Sequence, residues 1–530
     1  MSFFSSLTFG WSVNKLLLVC FNILAGITLI ILSHNGVLPL DPVNFFFFSF
    51  VGFLCALYRP GWAFLLLIGM LPYEIINIAP ENFGIMVRPY QWLLVLVTLS
   101  LLVRLALKRF PLQKFMPNVW DMALVILSMS AFLSSLMNDQ KTAALKLSVI
   151  LFSFLLLYFI CRIFVRSIDD ARMLLPFLFS SLLVIACYAI WQNLLFMSGW
   201  ESFEVMAGRP NATFPEADWL GGYLAMMITA LVALIVSPSL VSKYASIRQT
   251  RRIAALMLFF GFVALIITVS RSAWLAALSG IAIALIIFSW QRGIFDALRW
   301  QNKQVLKRAF HVMLFISIPL FLSFLIVFVF NLSPFDLMDR SKSISTGQQK
   351  ITIACEKEIA LPKKIDTVEE LAGFGCRHIN LEAILAERSA GKYVTEVWRA
   401  DPNVEIRQSI YTKITLLIRE HWLAGIGFGA VSQYLGADER GADLNASNIF
   451  LEVWLGAGLV GFLAFMFFWF GLGLRWLFMA CQGNSPLALV LGSMFVSITV
   501  FNLFNSGLLL AWFFVFLAFL VLPVSETAHE

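Results

Sequence analysis

Charged residues are scarce in this chain. Only 13% of its 530 residues are Asp, Glu, Lys or Arg, where a soluble globular domain carries about 25%, and 60% are hydrophobic with a mean hydropathy of +0.85. That shortage excludes an ordinary soluble globule and points to an integral membrane protein. The apolar segments are also nearly empty of carboxylates and histidines, the groups that proton-coupled carriers use inside the membrane. Asp121 and Glu452 stand at segment ends, and no paired histidines suggest haem. CxxC, HxxxH, DxD and glycine-rich phosphate-loop patterns do not occur, so no metal, no cofactor and no nucleotide donor is expected.

What is present is a succession of apolar runs long enough, or nearly so, to cross about 30 Å of hydrocarbon. They fall near residues 14–33, 42–58, 60–75, 90–107, 119–137, 142–161, 171–197, 218–236, 253–270, 272–290, 310–331, 449–478, 485–503 and 506–522. The expected fold is therefore an all-α polytopic membrane protein of about 12–14 transmembrane helices. The first run is followed by Asn35 and a row of phenylalanines rather than a small-residue cleavage site, and reads as a retained span.

Orientation follows from Lys and Arg, which resist translocation. With a cytoplasmic N-terminus, 19 of the 38 basic residues fall in inside loops and 14 in one polar block, Leu332 to Asn448. Long translocated segments are exempt from the charge rule, so the block is expected outside and the C-terminus inside. Three regions result: helices over 1–331, an external domain over 332–448 and further helices over 449–530. The block carries 16 acidic residues against its 14 basic ones. The sequence pI of about 9.0 thus reflects topology and gives no argument for nucleic acid.

Within the block, Ile406, Ile410, Ile414, Leu417 and Ile418 recur at helical spacing and predict an amphipathic helix over 406–421 on a membrane-facing rim. A weaker helix is expected over 380–389, with turns or short strands over 343–349 and 391–403. Cys355 and Cys376 are the two of seven cysteines outside the spans. In an oxidising compartment they could form a disulfide, and spacing alone leaves this open.

Against this charge pattern, Arg88, Arg209 and Arg271 are exceptions, because they sit in short segments on the expected outer side. A guanidinium there presents a rigid fork suited to phosphate oxygens; the alternative is an interfacial arginine whose stem lies along lipid.

Four stretches carry a resemblance. They are Arg209 to Leu224 (RPNATFPEADWLGGYL), Val269 to Trp274, Arg407 to Gly429 ending in HWLAGIGFG, and Asn445 to Glu452 followed by Gly456, Gly458 and Gly461. In this order, around a large external loop, the chain resembles the O-antigen ligase and O-antigen polymerase superfamily. The resemblance implies a GT-C-like membrane glycosyltransferase of a bacterial inner membrane, with its active site facing outward. Such an enzyme takes a glycan from a polyprenyl (undecaprenyl) diphosphate donor and joins it to a glycan, lipid or protein acceptor. It further implies that Arg209, Arg271 and Arg407 meet the diphosphate and that Asn448, Gly427 and Gly429 support the motifs; Arg88, from its place on the expected outer side, is expected to join the diphosphate contacts. Where family ligases carry a histidine directly before the asparagine, this chain has Ser447. Serine cannot act as a base near neutrality, so Glu452 and the loop acids, Asp443 among them, become candidate catalytic groups beside Ser447. A polymerase, or a transporter of lipid-linked glycan, are the competing readings.

Overall fold

The computed structural model describes residues 13–109, 117–138, 141–240, 246–294, 302–333, 348–359, 362, 364–379, 383–400, 402–436, 444–483 and 485–523. Asp443 lies outside them, as do the other loop acids Asp438 and Glu439. The first eleven helices are α1 (Val13–His34), α2 (Pro42–Tyr58), α3 (Pro60–Gly69), α4 (Pro89–Ala106), α5 (Val119–Met137), α6 (Lys141–Phe164), α7 (Ile168–Met197), α8 (Ala217–Val236), α9 (Ile247–Ile267), α10 (Arg271–Gln291) and α11 (Lys303–Val329). After the polar block come α16 (Ile449–Gln482), α17 (Pro486–Asn502) and α18 (Ala511–Leu520). The chain is an all-α polytopic membrane protein.

All fourteen predicted segments are helical, but fewer are full spans. Among the described residues ten helices are long and apolar enough to cross a membrane, or up to eleven with α2 and α3 joined as one bent span. At about 1.5 Å per residue, the ten residues of α3 and of α18 reach only half of a bilayer core. Every residue of α18 is buried, so its apolar character serves protein packing. The chain bends by 120° between α2 and α3, where Pro60 cannot continue the ladder. Arg104 fills the break, donating from Nε and Nη2 to the Leu57 carbonyl at 3.0 and 2.6 Å and from Nη2 to Tyr58 O at 3.1 Å. Carbonyls freed in apolar surroundings need such a partner.

α8 is enclosed almost completely, packed against α9, α10 and α17. α16 is broken at Gly458, whose φ of 64° is left-handed. A Cβ there would lie 2.3 Å from Leu423 O, because residues 423–426, near the end of the polar block, fold back into the break. Leu459 N donates to Leu423 O at 3.1 Å and Ile426 N to Leu455 O at 2.6 Å. The glycine cluster 456–461 thus includes an interruption of the helix.

The polar block contains a four-stranded sheet in the order β2-β4-β1-β3, built from β1 (Gln348–Cys355), β2 (Lys364–Ile365), β3 (Cys376–His378) and β4 (Tyr393–Ala400). β1 runs antiparallel to β3 and β4, and β2 parallel to β4. Short helices α12 (Glu370–Gly373) and α13 (Ala383–Ser389) connect the strands. Ile351, Ile353, Ile365, Leu371 and Val397 form its small core. Cys355 and Cys376 face each other across β1 and β3 and are bridged. α14 (Pro402–His421) is the amphipathic helix, followed by α15 (Val431–Leu435). Its Ile410 and Ile414 are buried against Ile426, Val431, Leu435, Ala446 and Leu455, so its apolar face covers protein.

Candidate active site

The α9–α10 connection has only three residues, Thr268, Val269 and Ser270, and Val269 takes a positive φ of 54°. Such a hairpin leaves helix-end carbonyls without helical partners. Arg209 takes one of them, Nε donating to Thr268 O at 3.1 Å, while its Nη2 meets Asp218 Oδ1 at 3.1 Å. The Arg209 loop is itself held by polar side chains. Glu204 Oε2 accepts from Gly208 N at 2.8 Å and Gln192 Oε1 from Ala212 N at 2.7 Å.

Asp218 lies in the first turn of α8, where the helix dipole favours a negative charge. Its Oδ1 also accepts from Ser270 Oγ at 2.5 Å. Arg271 opens α10 between Ser270 and Ser272, half-buried. Ser272 Oγ accepts from Asn505 Nδ2 at 3.0 Å. Asn505 belongs to the break between α17 and α18, and its neighbours reach the polar block. Arg407 Nη2 donates to Phe504 O at 3.4 Å with its guanidinium 5.6 Å from the Phe504 ring centre. The Arg407 charge also acts on Asp218. Asn448 Nδ2 donates to Leu503 O at 3.2 Å, while its Oδ1 caps α16 through Phe450 N and Leu451 N. Thus Arg209 and Arg407, far apart in the chain, belong to one hydrogen-bonded end of the bundle, where Arg271 stands in sequence between Ser270 and Ser272.

Ser447 and Glu452 adjoin it through Asn448. Ser447 has a positive φ of 49° and donates its N–H to Asn445 Oδ1 at 2.8 Å. Half-buried Glu452 accepts Ala446 N at 2.8 Å on Oε2. Gly427 and Gly429 seat the segment after α14 against α5 and α6: a Cβ would come 2.8 Å from Ser135 Oγ at Gly427 and 1.9 Å from Ala143 O at Gly429.

Arg88 has partners of its own. Its Nε donates to Glu74 O at 2.6 Å and lies 3.3 Å from Glu74 Oε2, and Nη1 donates to Tyr90 Oη at 3.1 Å. Burial pushes the Glu74 carboxyl up, and the Arg88 charge pulls it back.

Sequence reasoning missed Asp218, Ser270, Asn505 and Glu74. The apolar runs were read as nearly free of carboxylates, yet Asp218 lies at the start of one. A lone acid at that place is itself a signal. Asp121, noted at a helix end, is committed to Tyr158 at 2.5 Å and Arg162 at 3.2 Å. Among the described residues no cluster of three or more His, Cys, Asp or Glu could hold a metal ion.

Fold and site define a polytopic membrane protein with a cationic, water-reachable cluster at the end of the bundle that carries a folded insert. Residues 256–466 match the family model described as O-Antigen ligase, which places this stretch in the O-antigen ligase superfamily. The match runs from within α9 to within α16 and takes in Arg271, Arg407 and Glu452; Arg209 and Asp218 lie before it. No curated protein and no solved structure matches the chain. The family supports a membrane glycosyltransferase of the ligase or polymerase type, with lipid-linked glycan and acceptor as its substrates.

Proposed function

We propose that the protein transfers a glycan from a polyprenyl diphosphate carrier, of the undecaprenyl class, to an acceptor hydroxyl on the outer side of a bacterial inner membrane, without a metal. The observation that carries this reading is the joining of Arg209 and Arg407 through Asp218, Ser270, Ser272, Asn505 and Phe504, with Arg271 placed in sequence between the two serines. A lipid diphosphate is a multiply charged anion anchored at the interface, and forked cations gathered at one end of the bundle are suited to it.

In the reaction the acceptor oxygen attacks the anomeric carbon. The bond from that carbon to the diphosphate oxygen breaks, and the leaving polyprenyl diphosphate carries away the electron pair. Preorganised arginines stabilise the charge that grows there, the kind of contribution that usually dominates such catalysis. The hydroxyl proton goes to Glu452, the described carboxylate nearest in sequence to Ser447, which lacks the basicity to take it. The ligase reading and the polymerase reading share these steps and differ in the acceptor alone.

The test incubates purified protein with a polyprenyl diphosphate glycan and an acceptor and follows free polyprenyl diphosphate. Release by the wild type and its loss in Arg271→Ala, with membrane insertion intact, is the expected result. Transport of the donor with no release, or wild-type yield from Arg271→Ala, refutes the proposal.

A further inference from the structure

Glu74 is 1% exposed, and a carboxylate so deeply placed survives only with close partners. Besides Arg88, its Oε2 accepts from Tyr90 Oη at 3.0 Å and its Oε1 from Ala511 N at 3.2 Å. Its own backbone N–H and that of Ile75 both donate to Thr213 O at 3.0 Å, and Thr213 Oγ1 returns a bond to Pro72 O at 2.6 Å. One residue therefore joins three stretches at element ends and in loops: 72–75, the loop that carries Arg209, and the start of α18 that follows Phe504 and Asn505. Non-helical backbone in apolar surroundings has no water to fall back on, so these bonds fix the relative placement of the segments they join.

We infer that Glu74 and Arg88 form a positioning pair for the active site, setting the Arg209 loop against the Phe504–Asn505 break without touching substrate. This rests on the reading of the arginine cluster as the diphosphate site. Arg88 spends its fork on Glu74 and Tyr90, whereas Arg209 and Arg407 each keep part of theirs for an incoming anion. Misplacement of about 1 Å at a reacting centre costs on the order of 100-fold in rate, which is how such a strut would act on turnover.

The experiment is a double-mutant cycle on the full-length protein, pairing Glu74→Gln with Arg209→Lys. Glu74→Gln alone should lower kcat by about 10–100-fold and leave the donor KM within about threefold, and Arg88→Lys should retain more activity than Arg88→Ala. If Glu74 acts through Arg209, the double variant loses no more than about threefold beyond Arg209→Lys. Tyr90→Phe, which removes only the bridging hydroxyl, should show a milder loss with the same non-additivity and serves if Glu74→Gln does not fold. Inorganic pyrophosphate is the binding probe. Additive losses, or weakened pyrophosphate binding in Arg88→Lys that matches a raised donor KM, overturn the inference while Arg209→Ala remains inactive. Full activity in Arg209→Ala sinks the diphosphate reading, and the inference with it.

Discussion

Replacing Arg209 by alanine tests the electrostatic core of the proposal. The guanidinium has five N–H donors, and Thr268 O and Asp218 Oδ1 engage two of them, leaving about three for phosphate oxygens. Loss of one preorganised donor at a developing oxyanion costs about 100- to 1,000-fold in kcat, or roughly 2.7–4 kcal/mol, and Arg209→Ala should fall in that range. Its effect on folding should be much smaller. Asp218 is 33% exposed and keeps Ser270 Oγ, so its carboxylate is not left without a partner when the guanidinium is removed. Arg209→Lys should recover part of the rate, because an ammonium can serve Asp218 or a phosphate but cannot also reach Thr268 O as a fork. The assay is polyprenyl diphosphate release at saturating donor, read beside thermal unfolding in the same detergent. Turnover within threefold of wild type, or a rate loss that simply follows unfolded protein, refutes the reasoning.

Other substitutions probe other links. Glu452→Gln should abolish transfer yet leave pyrophosphate binding unchanged, since the amide cannot take a proton; transfer by this variant at near wild-type rate removes Glu452 as the base. Gly458→Ala should destabilise by more than about 2 kcal/mol, because a left-handed φ and a backbone contact both oppose a Cβ, and unchanged thermal unfolding would contradict the described break. Asn448→Ala removes the α16 cap and should cost about 1 kcal/mol and loosen the Leu503 contact, measured as earlier unfolding with a modest loss of rate. Serine at both Cys355 and Cys376 should weaken the insert by about 2–4 kcal/mol, seen as faster proteolysis between the strands; equal cleavage rates count against the bridge.

Helix positions were legible because long apolar runs have few other uses. Their lengths were not, since Ala511–Leu520 is as apolar as a span and owes this to protein neighbours rather than lipid. The inward alternation of Ile351, Ile353 and Cys355 carried a strand signal, yet the four-strand sheet depends on pairings with β3 and β4 that sequence does not display. The family motifs pointed to Arg209, Arg271 and Arg407 individually. The link from Arg209 to Arg407 through Asp218, Ser270, Ser272 and Asn505 was invisible, because it is made by helix ends from distant parts of the chain. Arg88 shows the converse: charge position on the expected outer side singled it out, while its partner Glu74 lay in a stretch read as the tail of a span.

The carboxylate of Asp218 gives the resting site a property of its own. Lodged between Arg209 and Ser270 and within the field of Arg407, it offsets part of the charge of cations that would otherwise repel one another. Under the proposed function, an arriving headgroup competes with an internal rival. Small anions from the surrounding water, which bring one or two charges and no lipid anchor, meet the same competition with far less to offer.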